Sequence, residues 1–443
     1  MATTAISRAL SGCPGVVDAF YALYSDYTNV VWLDRLGDRG NNTSVLATGD
    51  YVELAPGVEL ASLRNFVSSR SLTISTPDVP LGFIGVLAYD IAQETLGIEA
   101  VSGPRDQATS RGLWVERSLE FNADTGEVIA WGVEGDQGFD DWVEGVYSVL
   151  CEAPTAPTPV RPESSRATWR DQPDHYRSLI ERAQGAIKDG EVYQICLTTS
   201  VHVESDITDA ELHTLLRELS PTHHQGLLRL GNYSLVSASP ETFLTLDPNG
   251  VLRTRPIKGT RPRGDSEEAD HALMAELVES AKEQAENLMI VDLMRNDLQR
   301  VCETGSVSVT GLFEVETYSS VHQLVSTVEG TLREGADGVD ALAACFPAGS
   351  MTGAPKHRAV SLLAQWESGP RGVYSGCFGW WRLDGSMEWA MIIRSALFSD
   401  NGIDIGVGGG ITWSSDVDQE IKEVGHKAKR LLEALGISSI QYS

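Results

Sequence analysis

Apolar residues in this chain recur at two spacings, and the way those spacings alternate predicts the architecture. Tyr176, Leu179, Ile180, Ala183 and Ile187 fall at helical spacing in the segment that opens at Pro173, and Gly190 ends the run. Helices are likewise predicted over Asp209 to Leu219, over an acidic stretch from Ser266 to about Asn296, past Ser350 with Pro355 in the first turn, and from Asp416 to Leu435. Between them lie apolar runs of strand length, among them Val192–Thr198, Phe243–Leu246, Val251–Arg255, Val321–Val328 and Ile405–Trp413. Asp247-Pro-Asn-Gly250 supplies a turn, so the runs on either side of it form a hairpin.

Residues 1 to about 150 alternate runs such as Val30–Leu33 and Val128–Trp131 with Gly- and Asp-rich turns, which predicts a strand-rich region with few long helices. Leu81–Asp90 is apolar and punctuated by glycines, a pattern suited to closely packed backbones. Glu152 to Pro162 is Pro-rich without apolar periodicity and reads as a linker or surface loop. The expected organisation is an N-terminal region 1–150 folded into the same body, a linker or loop 151–172, and a catalytic region 173–443. The fold class is α+β with large antiparallel sheets, since strands mix with long helices and hairpins rather than forming a regular βαβ series.

Composition narrows the functions. With 34 Lys plus Arg against 62 Asp plus Glu the formal net charge is −28, which argues against nucleic-acid binding and docking on anionic lipid. No stretch approaches the ~18 to 20 apolar residues of a membrane span and no signal peptide opens the chain, so a cytoplasmic location is expected. The cysteines are scattered without C-x-x-C pairs, as reduced thiols are. No P-loop or G-x-G-x-x-G stands between strand and helix, so a nucleotide cofactor has no support.

Candidate chemistry concentrates in a few places. Glu241 and Lys258 flank the hairpin, which can bring an acid and an amine to one sheet face. Glu283 and Glu286 lie three apart on one acidic helix, and Glu420 and Glu423 three apart on the last one, so each pair shares a helix face. Two such pairs facing each other offer the oxygen donors that Mg2+ prefers; solvated acidic faces are the plainer alternative. Gly406-Val-Gly-Gly-Gly-Ile is too rich in glycine for a plain strand and suggests an anion-binding nest. With Arg394 in the strand before it and Lys427 on the following helix, such a nest gives an acidic protein the means to hold a small dianion.

Five segments carry a family resemblance: Ala-Ser-Pro-Glu241, Pro-Ile-Lys258-Gly-Thr, Ala-Glu286-Asn-Leu-Met-Ile-Val-Asp-Leu-Met-Arg-Asn-Asp, Pro-Ala-Gly-Ser-Met-Thr-Gly-Ala-Pro-Lys356 and Glu420-Ile-Lys-Glu423-Val-Gly-His-Lys427. Together they closely resemble the chorismate-utilising enzymes, a family of anthranilate, aminodeoxychorismate, isochorismate and salicylate synthases. The resemblance implies two large antiparallel sheets packed as a sandwich with helices outside, chorismate as substrate, and Mg2+. By position, Glu286 and Glu423 resemble direct metal ligands, with Glu283 and Glu420 supporting them through water. Tyr374, Arg394, Gly410 and Lys427 resemble the residues that hold the substrate carboxylates, and Glu241 the general acid for the departing ring hydroxyl, a role that needs a raised pKa.

Two departures carry information. Many family members have a His where Gln323 stands, and His322 is one residue earlier, on the opposite strand face. Asp34 to Asn42 matches the family's tryptophan pocket weakly, and no tryptophan regulation is inferred. Water-using members carry a Lys at the position of Gln194, and a Gln cannot activate water. Ammonia is therefore the expected nucleophile, supplied by a separate glutamine amidotransferase subunit. Anthranilate synthases carry Ala where Lys258 stands, so the resemblance points to the aminodeoxychorismate branch and para-aminobenzoate and folate synthesis. The alternatives are an anthranilate synthase or a non-catalytic paralogue that binds chorismate or the partner.

Overall fold

Strand alternation fixes what each face of the larger sheet meets. In the strand Asn29–Arg35, Val31 and Leu33 join one apolar cluster while Val30 and Trp32 join another. Leu228 and Leu227 divide in the same way on the neighbouring strand His224–Leu230. This sheet is therefore buried on both sides, which is why its strands read as continuous apolar runs. The first cluster fills the space between the two sheets, and the second lies under a helical layer that includes Pro173–Lys188, Asp209–Leu219 and Val417–Ala434.

A computed structural model describes residues 4–36, 42–70, 74, 76–99, 101, 109–318 and 321–437. Among them are a 12-stranded and a 10-stranded sheet with antiparallel pairing. In the larger sheet Asn29–Arg35 pairs with His224–Leu230, and at its far side Gly402–Ile411 lies against Gln194–Glu204. In the smaller one Gly82–Leu87 pairs with Cys377–Arg382, and Ile257–Pro262 forms an edge against Val321–Thr331. Strands from the first 150 residues thus lie in both sheets. No helix or strand lies between Cys151 and Arg166. Among the described residues no helix is long and apolar enough to cross a membrane.

Strands predominate in the N-terminal region, with helices of 12 and 13 residues at Glu59–Arg70 and Phe139–Cys151, which agrees with a strand-rich region of few long helices. Other local expectations need correction. The acidic stretch is two helices, Glu267–Glu279 and Ala281–Gln299, because Ser280 is extended and its side chain accepts from the Glu283 amide as an N-cap. The hairpin return ends at Thr254, and Lys258 lies on the next strand, Ile257–Pro262, reached through an irregularity around Pro256, which has no N–H for the ladder. Both segments pair with Val321–Thr331, so the chain stays on one partner strand while the kink re-aims Lys258.

Candidate active site

Where the edge strand Ile257–Pro262 faces the glycine-rich strand Gly402–Ile411, a cavity of about 450 Å³ opens between the sheets. Glu241, Lys258, Glu283, Glu286, Gln323, Tyr374, Arg394, Gly410, Glu420, Glu423 and Lys427 all line it. Gln194 stands at its margin, with Nε2 2.9 Å from where a Cβ on Gly410 would lie and Lys258 Nζ 3.2 Å from the same point. The hairpin, two helix N-termini and two strands thus meet although their residues are far apart in the chain.

The glycines serve another purpose than a nest. From Ile403 to Ile411 no residue has positive φ, so the backbone is extended and lacks the alternation a nest requires. Instead the absent side chains leave room: a Cβ on Gly406 would lie 2.1 Å from Cγ of Tyr374, and one on Gly410 would meet Gln194 and Lys258. Glycine here makes the cavity wall flat enough for larger groups to reach over it. Arg394 is not in a strand either. It lies between Met387–Met391 and Ser395–Ser399 with φ 52°, a conformation that aims its guanidinium into the cavity.

Each carboxylate has its own partner. Glu283 lies 3.5 Å from Arg261 Nη1, and Glu286 lies 3.8 Å from Lys282 Nζ. Ser415 Oγ donates to Glu420 at 2.7 Å, and Lys427 Nζ meets Glu423 at 2.8 Å while also donating to Gly408 O. Burial raises the Glu286 and Glu420 carboxyls, whereas Lys427 beside it lowers that of Glu423. No three of the four bring oxygens within 4.8 Å of one another. The donor set is nevertheless all hard oxygen, held on the first two turns of two helices, which fits a small hard dication.

Glu241 is 7% exposed, and burial pushes its carboxyl up to about 7 against the opposing pull of a Ser350 hydrogen bond and of Lys258 and Lys427. A carboxyl of that kind is half protonated at neutral pH and can donate a proton. Burial also raises the Tyr374 phenol and lowers the Arg394 guanidinium. Gln323 faces the cavity, while His322 turns away with Nε2 2.8 Å from Asp270 and Nδ1 2.9 Å from Thr317, so the two neighbours do separate jobs. Of the Asp34–Asn42 segment, residues 37–41 lie outside the described residues; Asp34 is buried and bonded to His213, Ser44 and Trp32.

Sequence reasoning missed the groups that hold the wall together. Ser350, given no role of its own in the sequence, reaches Glu241. Arg371, fully buried with Glu367 at 2.8 Å, donates to Met351 O, Cys196 O and Ser375 Oγ and so ties three wall segments. Lys356 is buried against Asp297 Oδ2 at 2.6 Å and donates to Cys345 O. A Lys at the first position of a helix is unusual next to the positive end of its dipole, and that misplacement was the available signal.

The family description "chorismate binding enzyme" matches residues 38–433. An aminodeoxychorismate synthase of Streptomyces pristinaespiralis is 34% identical over 97% of this chain and 64% of its own length. One of Streptomyces griseus is 38% identical over 82% of this chain and 52% of its own, so this chain spans about half to two thirds of the length of these relatives. Among solved structures, anthranilate synthase component I of Streptococcus pneumoniae superposes with a TM-score of 0.73 at 25% identity, covering 92% of this chain and 93% of that one. The matched span takes in every residue that lines the cavity and most strands of both sheets, and the chain belongs to the chorismate-binding enzyme family.

Proposed function

We propose that this chain is the chorismate-aminating component of an aminodeoxychorismate synthase, converting chorismate and ammonia to 4-amino-4-deoxychorismate and water. The observation that carries the reading is Lys258: its amine lies in the same cavity as a buried Glu241, whose carboxyl burial pushes up, and close to the Gly410 position. In this reading the Lys258 amine adds at C2 of the ring, the double bond shifts, and the C4 hydroxyl leaves as water with the proton of Glu241. Ammonia then adds at C4 and expels the Lys258 amine from C2, restoring the ring and the catalyst. Attack of ammonia at C2 instead leads towards anthranilate.

The cavity's charge supports a dianionic substrate. Five carboxylates, Glu241, Glu283, Glu286, Glu420 and Glu423, face five cations, Lys258, Arg261, Lys282, Arg394 and Lys427, in a protein of net charge −28. Mg2+ held by Glu286 and Glu423, with Glu283 and Glu420 supporting, would supply the remaining positive charge and bind a substrate carboxylate. Arg394 and Lys427 reach the cavity from opposite elements and can hold carboxylates there. Ammonia would come from a glutamine amidotransferase that works with this chain.

The test is product identity. Purified chain given chorismate, Mg2+ and an ammonium salt should form 4-amino-4-deoxychorismate, and glutamine should replace ammonium only when a glutaminase is added. Anthranilate as the main product would move the chain to the other branch of the family, and unconsumed chorismate would remove the enzyme reading.

A further inference from the structure

A second cavity, of about 320 Å³, lies between the sheets and shares no lining residue with the first. Here two consecutive histidines from the larger sheet meet a carboxylate from the smaller one. His223 Nε2 lies 3.8 Å and His224 Nδ1 3.7 Å from Glu388 Oε1, and the three ligand atoms are within 4.8 Å of one another. His224 begins the strand His224–Leu230, and Glu388 belongs to Met387–Met391.

Counting lone pairs shows what this arrangement lacks. Arg35 Nη2 donates to both oxygens of Glu388 at 2.7 Å, and Arg382 Nη2 donates to Oε2 at 3.1 Å. A carboxylate has about four acceptor directions, so one remains, on the oxygen that faces the histidines. Thr242 Oγ1 lies 2.7 Å from His224 Nε2. When Nε2 carries the proton and donates it there, Nδ1 turns a lone pair towards the lone pair of Glu388, at a separation too long for a hydrogen bond. Beside that ring Gln225, 1% exposed, lines the same cavity with neither amide atom hydrogen-bonded.

We propose that His223, His224 and Glu388 form a second metal site, for a first-row transition dication such as Zn2+ or Co2+, which cross-links the two sheets. Two imidazoles and a carboxylate select this class over Mg2+, which the all-carboxylate cluster suits. Metal–nitrogen bonds of about 2.0 to 2.1 Å require the ligand atoms to draw together by roughly an ångström. His223 precedes the strand and its side chain is 23% exposed, so it is the ligand nearest to solvent. The guanidiniums on Glu388 repel the ion and hold affinity below that of an isolated site of this composition.

The test uses the whole chain, free of any affinity tag and saturated with Mg2+, titrated with Co2+ by visible absorption and with Zn2+ by calorimetry. One Co2+ per chain is expected, with the ligand-field bands of a mixed nitrogen and oxygen shell. His223→Ala, at a partly exposed position that the fold tolerates, should weaken binding roughly tenfold or more, and adding His224→Asn should abolish it. Circular dichroism confirms that each variant is folded. Failure to bind either ion, or a loss under tenfold in the folded His223→Ala chain, overturns the proposal.

Discussion

Glu241→Gln separates catalytic need from structural cost at one atom. The carboxyl rises from its ordinary 4.5 to about 7 in the folded chain because burial disfavours its charge. A carboxyl whose folded pKa is raised contributes stability that is fully present below about pH 4.5 and is lost as pH rises through 7. At 1.36 kcal/mol for each unit, the cost of ionising it in place approaches about 3 kcal/mol. Gln keeps an oxygen for the Ser350 hydroxyl but never ionises, so the variant escapes that cost. A chain of this length unfolds with an entropy of about 0.9 kcal/mol per kelvin if it unfolds as one unit, so the difference corresponds to roughly 3 to 4 °C. Thermal midpoints of both proteins, measured at pH 5 and at pH 8.5, give the answer. Relative to the parent, the variant should gain up to that much on going from the lower to the higher pH, while losing nearly all turnover at both. An equal change in midpoint at the two pH values would falsify the claim that the buried charge is costly.

The same carboxyl sets a pH profile: at fixed free ammonia, turnover should fall as pH rises through about 7, and a flat profile to pH 9 would remove Glu241 as proton donor. Gly406→Ala should raise the KM for chorismate at least tenfold, because its Cβ would overlap the Tyr374 ring at 2.1 Å and force that side chain off the wall; an unchanged KM contradicts the close-approach reading. Asp297→Asn leaves the buried Lys356 ammonium without its counter-charge and should destabilise the chain by about 3 to 5 kcal/mol, read from denaturant unfolding; a loss under 1 kcal/mol would show that Lys356 finds another partner.

Residues that act through local sequence were legible, and those that act through distant contacts were not. Glu241 and Lys258 sit on either side of a hairpin whose turn announces itself, and the two acidic pairs declare a shared helix face by their spacing. The glycine-rich strand misled because density of glycine signals freedom of backbone without saying whether that freedom serves a turn or a close approach. Only the partner decides, and Tyr374 lies 32 positions away from Gly406. Ser280 hid a helix break inside an acidic stretch, since a Ser reads as an N-cap only once the preceding turn is known to end. The meeting of His223 and His224 with Glu388 joins strands more than 160 residues apart and leaves no local signature.

The central claim, amination at C4 by way of Lys258, is tested most directly by mass spectrometry of the protein quenched during turnover with chorismate, Mg2+ and limiting ammonia. The account predicts a covalent adduct on the peptide containing Lys258, with the mass of chorismate less one water, which disappears when excess ammonia is added and never forms in Lys258→Ala. Full-rate formation of 4-amino-4-deoxychorismate by Lys258→Ala, with no adduct on the parent enzyme, would contradict it.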